Sequence, residues 1–307
     1  MEKLSENLPI AKSNNLPGIN NIIDSVELVF NNLDIAETTK KDYLYRVPYF
    51  VEFIKSNGFN INTYLEYKKH LRDRKDIATA TKNKYLISAK VFLNDLIRVG
   101  QIPDITKNIK GFKDDKKHKK FGLTDKEVNK VKKYIKSLDN TKENTRTKAF
   151  FSLLYLQGMR QIELIRLEVK DLNLKKGVAY VQGKGRDSKE MVHLHIKTVE
   201  ILREYIKVNN LSSGYLFNSF SNRNKGQGID TRTIKNVMKA IFNKLNIDNS
   251  VHGFRHTFTT ALIKAFSGDL TKVKKMTRHR QIETVMVYND DLELKADLPI
   301  YQKAFSY

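Results

Sequence analysis

Residues 251–288 read VHGFRHTFTTALIKAFSGDLTKVKKMTRHRQIETVMVY and hold a sparse set of reactive polar side chains. The HGFRH segment supplies His252 and Arg255, and the segment further on supplies His279 and, nine residues later, Tyr288. A pair of amphipathic core helices does not need two histidines, an arginine and a tyrosine in this arrangement. Cationic and proton-transferring groups that converge near a phenol indicate chemistry on a phosphate, with the tyrosine as the nucleophile.

The apolar residues of this stretch are spaced as in a buried helix. They recur at three- and four-residue intervals and predict that the segment after HGFRH is a core helix. The residues concerned are Phe254, Phe258, Ala261, Leu262, Ala265 and Phe266.

A small antiparallel sheet is predicted upstream of that helix. Residues 178–182 and 191–194 flank a GKGRD turn, which makes them a β-hairpin with Lys184 at its tip. Helices are predicted to follow near residues 198–208 and 230–245. The second half of the chain is therefore predicted to be mainly helical with a small sheet.

The segment before the sheet is predicted to open with two helices. Thr124 and Glu127 have the spacing of a capping box, which marks a helix start. Residues 149–156, AFFSLLYL, are apolar nearly all round and indicate a buried helix. That helix is expected to end at Gly158, and Arg160 follows at once.

The first hundred residues show helical spacing and no strand alternation. Pro48 is expected to kink or break the second helix. The predicted helices begin near Ile22, at Thr38 or Thr39, at Thr63, and at Thr79 or Thr81. This part of the chain is predicted to be a compact helical domain.

The bulk composition favours a polyanionic partner. The chain has 307 residues, 56 Lys and Arg against 34 Asp and Glu, and a net charge of +22. Such a charge attracts nucleic acid, although a lysine-rich genome accounts for part of it. The absence of cysteine excludes disulfides and thiol catalysis. No membrane span or secretory signal is recognisable, so a cytoplasmic protein is expected.

Five segments are predicted along the chain. Seven lysines between residues 107 and 120 mark a basic linker, which cannot bury a core. The predicted segments are a flexible arm at 1–17, a helical DNA-binding domain at 18–112, the linker at 113–120, a catalytic domain at 121–290 and a tail at 291–307.

Clustered basic residues are the candidates for contact with DNA phosphates. For any single lysine the alternative is a solvated surface, and only the clustering favours DNA. The candidates are Lys40, Lys41, Arg46, Lys82, Lys84, Lys90, Lys116 and Lys117.

Four motifs in order carry a family resemblance: QGMRQIEL, GKG, HGFRH and RHRQIETVMVY. In this order and spacing they resemble the tyrosine recombinase (phage integrase) family, from about residue 40 to Tyr288. The size and layout are similar to Xer-type recombinases and simple integrases. The resemblance implies a SAM-like N-terminal core-binding domain and an α+β catalytic domain that close around DNA as a C-shaped clamp.

The resemblance also implies the role of each polar residue. Arg160 and Arg255 would hold the non-bridging phosphate oxygens as bidentate, permanently charged donors. Tyr288 would attack the phosphorus and form a 3′-phosphotyrosine. No metal and no cofactor are expected, because the arginines take over the electrostatic task and the phosphotyrosine conserves the bond energy.

Four further residues have supporting parts in the family. Lys184 would protonate the leaving 5′-oxygen. His252 would manage the tyrosine proton or hydrogen-bond the phosphate, and His279 would hold another phosphate oxygen. Glu163 matches the family's supporting acid, one helical turn from Arg160, and would orient the other groups.

Each of these residues also has an ordinary structural interpretation. Arg160 alone would more often form a surface salt bridge, and a lysine at a hairpin tip is usually solvated. Tyr288 alone would more often be a half-buried core phenol, with Tyr301 and Tyr307 as rival nucleophiles. His256 is expected to pack beneath the site. The joint occurrence at family spacing favours the catalytic interpretation.

The sequence departs from the family pattern in three places. Gln161 stands where an apolar residue is usual. Arg278 replaces the glycine before the second histidine, which costs about 1 kcal/mol if the position needs a positive φ. Alternatively, Arg278 adds a phosphate contact. The tail after Tyr288 is unlike the family's, where this segment often docks on a neighbouring protomer.

The predicted function is site-specific DNA recombination by a homotetramer on two double-stranded DNA sites, through a Holliday junction. Two alternatives stay open at this point. One is DNA relaxation by a type IB topoisomerase-like monomer, which shares the chemistry. The other is a DNA-binding relative that keeps the fold and has lost catalysis. All the expected catalytic residue types are present, which favours an enzyme.

Overall fold

The computed structural model describes residues 19–113, 122–220 and 226–288, together with the single positions 299 and 303. The chain divides into two units, residues 1–116 and 117–307. The predicted arm and nearly all of the predicted linker and tail lie outside the described residues. So do Lys116, Lys117, Tyr301 and Tyr307.

The first unit contains four helices within residues 19–113, where no strand is described. The longest pair, α2 and α4, pack against each other, and α1 packs on both. Aromatic side chains fill the centre, among them Phe30, Phe50, Tyr67 and Phe92. The helices are α1 (Ile19–Asn32), α2 (Glu37–Asn57), α3 (Thr63–Asp73) and α4 (Thr79–Arg98). The predicted helical character is confirmed.

Pro48 does not break α2, which runs uninterrupted from Glu37 to Asn57. Pro48 itself is exposed, whereas Val47, Phe50 and Val51 on either side are buried. A proline inside a helix removes one hydrogen bond and costs about 3 kcal/mol. Burial of these flanking side chains in the core offsets that cost, so the expectation of a break was wrong.

The described part of the second unit holds one 3₁₀ helix, three strands and seven helices with defined bounds, besides the helical residues 283–288. The helices are α5 (Asp125–Ser137), α6 (Lys142–Tyr155), α7 (Gln161–Ile165), α8 (Ile196–Val208), α9 (Thr231–Lys244), α10 (Val251–Ala265) and α11 (Leu270–Thr277). The 3₁₀ helix is Val169–Asp171, and residues 283–288 are also helical. Among the described residues, no helix is long and apolar enough to cross a membrane.

The strands form one antiparallel sheet in the order β1 (Leu172–Asn173), β2 (Val178–Gln182) and β3 (Lys189–His193). Val178 lies opposite His193, and Gln182 lies opposite Lys189. The connecting segment therefore carries Lys184, as the hairpin prediction requires. The predicted hairpin is confirmed, with β3 beginning two residues earlier than expected.

The core of the second unit forms between α6, α8 and α10. Phe150 of α6 lies 4.7 Å from Phe217, ring centre to ring centre, and Phe254 of α10 packs edge-on against Phe151 at 5.6 Å. The HGFRH motif was expected to precede this core helix, but α10 begins at Val251 and includes it. Val251 and Phe254 are both buried, so the apolar side of the helix extends through the motif.

The capping box of α5 is confirmed by its hydrogen bonds. The Thr124 hydroxyl accepts from the Glu127 amide, and the Glu127 carboxylate accepts from the Thr124 amide at 2.8 Å. The adjoining Leu123 amide donates to the Thr257 hydroxyl of α10 at 2.8 Å. These bonds attach the start of α5 to the helix that carries HGFRH.

Candidate active site

A tight turn after α6 sets the position of Arg160. Gly158 has φ +55°, and a Cβ at this residue would lie 2.2 Å from Cδ1 of Phe258. Both the backbone conformation and the close approach therefore require glycine. The Gly158 carbonyl accepts a hydrogen bond from Nη1 of Arg255 at 2.5 Å. The turn thus brings the segment of Arg160 to the segment of Arg255.

Arg160 stands at the start of α7 and is held by Glu163. The Glu163 Oε1 accepts from the Arg160 guanidinium at 3.0 Å, and its Oε2 accepts from the Arg160 amide at 2.9 Å. Glu163 is fully buried, whereas the Arg160 side chain is 27% exposed. A buried carboxylate with charged partners orients the guanidinium and leaves part of it accessible to a ligand.

Arg255 is almost completely buried, with 2% of its surface exposed. Its guanidinium donates to two backbone carbonyls, those of Gly158 and Thr277. Burial, and after it the neighbouring Arg160, lowers the pKa of Arg255 to about 9. The guanidinium is therefore still charged at neutral pH, and the carbonyls that accept its hydrogen bonds carry no net charge.

His279 lies beside Arg255 and is neutral. The Thr277 hydroxyl donates to the Val273 carbonyl at 2.7 Å, so it accepts from Nδ1–H of His279, 2.6 Å away. This tautomer turns the lone pair of Nε2 toward Nη2 of Arg255 at 3.2 Å. Burial, followed by the charges of Arg255 and Arg160, lowers the pKa of His279 to about 3.

Tyr288 packs against two histidines. Its ring centre lies 4.7 Å from that of His256 and 6.2 Å from that of His279. His256 in turn contacts His252, with ring centres 5.1 Å apart. Burial raises the pKa of the Tyr288 phenol, while Arg255 and Arg160 act in the opposite direction. His256 is itself buried between the rings of His252 and Tyr288, which agrees with the expectation that it packs and does not react.

Two cavities meet at Arg160. The smaller, about 170 Å³, is lined by Arg160, His252 and Arg255. The larger, about 420 Å³, has Arg160 and Lys184 in its wall together with Glu163 and Arg278. The folded chain therefore brings the predicted phosphate-binding arginines, one histidine and the hairpin lysine around adjoining cavities.

The sequence matches the phage integrase family over residues 122–294, which is more than half of the chain. The tyrosine recombinase XerC of Lactobacillus delbrueckii subsp. bulgaricus is 31% identical over 224 residues, 69% of this chain and 72% of that protein. A tyrosine recombinase of Synechocystis sp. is 25% identical over 231 residues, 74% of this chain and 73% of that protein. This chain belongs to the phage integrase family. It is a tyrosine recombinase and hence an enzyme.

Solved structures share the fold of this recombinase. The XerH site-specific recombinase bound to its difH substrate aligns with a TM-score of 0.65 at 20% identity, over 91% of this chain and 84% of that one. A lambda integrase dimer bound to a COC′ core site aligns with a TM-score of 0.65 at 14% identity, over 89% and 77%. The mainly helical fold class with a small antiparallel sheet is confirmed.

The hairpin that carries Lys184 in the recombinase is held where its two strands meet the turn, and Lys184 within the turn is exposed. Arg166 donates to the Gly183 carbonyl at 3.2 Å. On β3, Lys189 donates to both carboxylate oxygens of the buried Asp171, at 2.6 and 2.8 Å. Sequence reasoning missed these three anchoring residues, because their partners lie in other elements.

Arg278 stands where the family has a glycine, and its backbone has the positive φ that such a glycine position indicates. Its φ is 56° and its ψ is 40°, in the left-handed region. Its side chain, however, is directed at Glu163, with Nη2 and Oε2 3.1 Å apart. The replaced glycine was the signal in the sequence, but it did not identify Glu163 as the partner. Thr277, the hydrogen-bond partner of His279, gave no signal at all.

The predicted DNA-contacting residues of the first unit stand in different surroundings. Lys40 pairs with Glu37 at 3.7 Å, and Arg46 pairs with Asp42. Lys82 donates to the Arg72 carbonyl at 2.7 Å. Lys41 and Lys84 are exposed, whereas Lys90 is half-buried. Their contact with DNA stays a prediction.

Proposed function

We propose that this enzyme carries out site-specific recombination by cleaving and rejoining DNA at a phosphodiester held between Arg160 and Arg255. DNA as the partner is supported by the net charge of +22 and by fold relatives whose structures contain DNA. The observation that carries the proposal is the cavity lined by Arg160, His252 and Arg255, with Tyr288 packed on the adjacent histidines.

Tyr288 is the nucleophile of the proposed reaction. Its phenol oxygen forms a bond to phosphorus while the bond from phosphorus to the 5′-oxygen breaks, which leaves a 3′-phosphotyrosine and a 5′-hydroxyl. Attack by a 5′-hydroxyl on the phosphotyrosine reverses the step and rejoins the strand. The bond energy stays in the phosphotyrosine, so the cycle consumes no nucleotide.

The two arginines stabilise the charge that builds up on the non-bridging oxygens. Arg255 is already held by carbonyls of two distant segments, and Arg160 is already held by Glu163. Donors that are fixed before the reaction need no reorganisation during it, which is the main source of electrostatic catalysis. The partial exposure of Arg160 lets a phosphate reach its guanidinium.

The remaining polar residues handle protons and orientation. Lys184 gives a proton to the leaving 5′-oxygen, and His252 either accepts the Tyr288 proton or donates a hydrogen bond to the phosphate. His279 donates to another phosphate oxygen once its Nε2 carries a proton, a state that the negative charge of the phosphate favours. In this proposal four copies of the chain act on two DNA sites through a Holliday junction.

A covalent-capture experiment tests the nucleophile. Nicked duplexes with randomised arms are incubated with the protein, and DNA that becomes covalently attached is recovered and sequenced. We expect adducts with the wild type and none with Tyr288→Phe, because the phenylalanine ring keeps the packing and lacks the oxygen. An adduct that persists with Tyr288→Phe would contradict the proposal. So would the absence of any adduct between the wild-type protein and the duplexes of the library.

A further inference from the structure

The turn after α11 carries an arginine where the backbone favours glycine. Among the described residues, four other non-glycine positions have a positive φ: Asn108, Asn210, Asn246 and Ser267. Asparagine tolerates this region well and serine is small, so Arg278 is the long side chain of the set. A strained backbone conformation of this kind persists where the surrounding structure holds it in place. At this position the contacts of the Arg278 side chain do so.

The Arg278 side chain is buried against α7. Its exposed fraction is 5%, that of Glu163 is 0%, and Nη2 lies 3.1 Å from Oε2. Nη1 donates to the Met276 carbonyl at 3.4 Å, and Nε is buried with no hydrogen-bond partner among the described residues. The ion pair with Glu163 is therefore the strongest contact that holds this guanidinium inside the protein.

Glu163 is the shared partner of two arginines. Its Oε1 accepts from the Arg160 guanidinium, while its Oε2 accepts both from the Arg160 amide and from Arg278. A fully buried carboxylate that loses one of two cationic partners is left poorly compensated. Without Arg278, Glu163 would be free to shift toward Arg160 or to gain a proton, and either change would alter the position of the Arg160 guanidinium.

We propose that Arg278 is a positioning residue that joins Arg160 and His279 into one rigid phosphate-binding unit through Glu163. Arg278 directly precedes His279, and Glu163 lies one helical turn after Arg160. The ion pair spans 115 residues of sequence and so connects the two segments that carry these groups. The inference rests on the proposed function, because the task assigned to Arg278 belongs to strand cleavage.

Two substitutions separate the side chain from the backbone strain. Arg278→Ala removes the ion pair and keeps a Cβ at the left-handed position, whereas Arg278→Gly removes both. We expect each to slow single-turnover adduct formation on a captured duplex by roughly 10- to 100-fold, because small misplacements of catalytic groups have effects of this size. The dissociation constant for that duplex should change by less than about two-fold, and Arg278→Lys should restore part of the rate.

Ser267→Gly is the matched control for the backbone. It relieves a left-handed non-glycine residue (φ 48°) at the end of α10, outside the ion pair. We expect the wild-type rate of adduct formation from this variant. A wild-type rate from Arg278→Gly would overturn the inference, because glycine would then be an adequate replacement.

Combination with Glu163→Gln shows whether Arg278 acts through Glu163. In that background Arg278→Ala should slow adduct formation by less than about two-fold, because residues that act as one unit are not additive. If the two losses multiply, Arg278 contacts the phosphate directly and the inference is wrong.

Thermal unfolding without DNA tests the link between Arg278 and Glu163 independently of catalysis. The proteins compared are the wild type, Arg278→Ala, Glu163→Gln and the variant with both substitutions. Arg278→Ala should lower Tm by about 2–4 °C in the wild-type background and by clearly less in the Glu163→Gln background. Additive Tm shifts would overturn the link even if cleavage is observed. Absence of any Tyr288-dependent adduct would instead refute the proposed function, and it would leave the Tm comparison as the test of the ion pair.

Discussion

The arginine cluster and the lysine hairpin of the second unit hold their functional side chains in opposite ways. The arginine cluster consists of Arg160, Glu163, Arg255, Arg278 and His279. Its members are mostly buried and bound to one another or to backbone carbonyls. The lysine hairpin, residues 178–193, is held beside its turn by Arg166, which binds Gly183, and by Asp171, which binds Lys189, and it exposes the Lys184 side chain within the turn.

This difference follows from the chemistry that each region performs in the proposed reaction. Charge stabilisation benefits from donors that are fixed before the substrate arrives, so burial and many hydrogen bonds are an advantage for the arginines. A general acid has to reach the leaving oxygen of a bound DNA strand, and an exposed tip leaves it free to do so. In the arginine cluster, small changes in side-chain shape are therefore expected to slow cleavage. In the hairpin, loss of the proton donor is expected to slow it.

Among the substitutions that compare these two regions, Arg255→Lys is expected to have the largest effect. A lysine keeps the charge but has one ammonium group, which cannot contact the Gly158 carbonyl, the Thr277 carbonyl and a phosphate at once. We expect the rate of adduct formation to fall about 1,000-fold, with binding of the same duplex nearly unchanged. Single-turnover cleavage and DNA binding measured side by side check this. Equal losses in both would indicate that Arg255 has only a structural role.

Lys184→Ala should have a smaller effect of a different kind. Removal of a general acid slows cleavage by about 100-fold or more, and Tm should stay at the wild-type value because Lys184 is exposed. A duplex with sulfur in place of the bridging 5′-oxygen provides the decisive measurement, since a thiolate leaves without protonation. We expect this substrate to restore the rate of Lys184→Ala and not that of Arg255→Lys. Failure of the sulfur substrate to rescue Lys184→Ala would remove the acid role.

The same contrast explains what the sequence could predict. The hairpin and the α5 capping box follow from local patterns, because two short segments around a glycine-containing turn, or a Thr–Glu spacing of three, contain the whole signal. Both were predicted correctly. The six predicted catalytic positions were recognised from motif order, and their catalytic roles stay a prediction. Four of them line the two adjoining cavities, His279 lies beside Arg255, and Tyr288 packs on His256 and His279.

The contacts within the arginine cluster could not be predicted, because they join distant segments. Glu163 and Arg278 are 115 residues apart, and Arg255 bonds to Gly158 across 97. No periodicity or motif links such pairs; only the packed fold does. Of the two outcomes predicted for Pro48, a kink or a break, the break did not occur for a related reason: the burial of Val47 and Phe50 in the tertiary structure outweighs a local helix-breaking signal.

The smallest expected effect concerns the neutral state of His279. It distinguishes the buried arginine cluster from the exposed lysine hairpin in a measurement that needs no DNA. The folded-state pKa of about 3 lies below the ordinary value of 6.5. Between these values the unfolded chain binds a proton that the folded protein does not. Acidification through this window therefore destabilises the fold, by at most about 1.4 kcal/mol per pH unit from this residue. His279→Asn keeps a donor toward Thr277 and does not titrate, so its unfolding free energy should depend less steeply on pH.

Urea unfolding at several pH values between about 4 and 6 measures this slope. We expect His279→Asn to reduce it relative to the wild type, and Lys184→Ala to leave it unchanged because that substitution alters only the exposed hairpin tip. Identical slopes for the wild type and His279→Asn would mean that His279 titrates as in an unfolded chain. The desolvation that sets the arginine cluster apart from the lysine hairpin would then be absent at its histidine, and the proposed acceptor state of Nε2 would have to be abandoned.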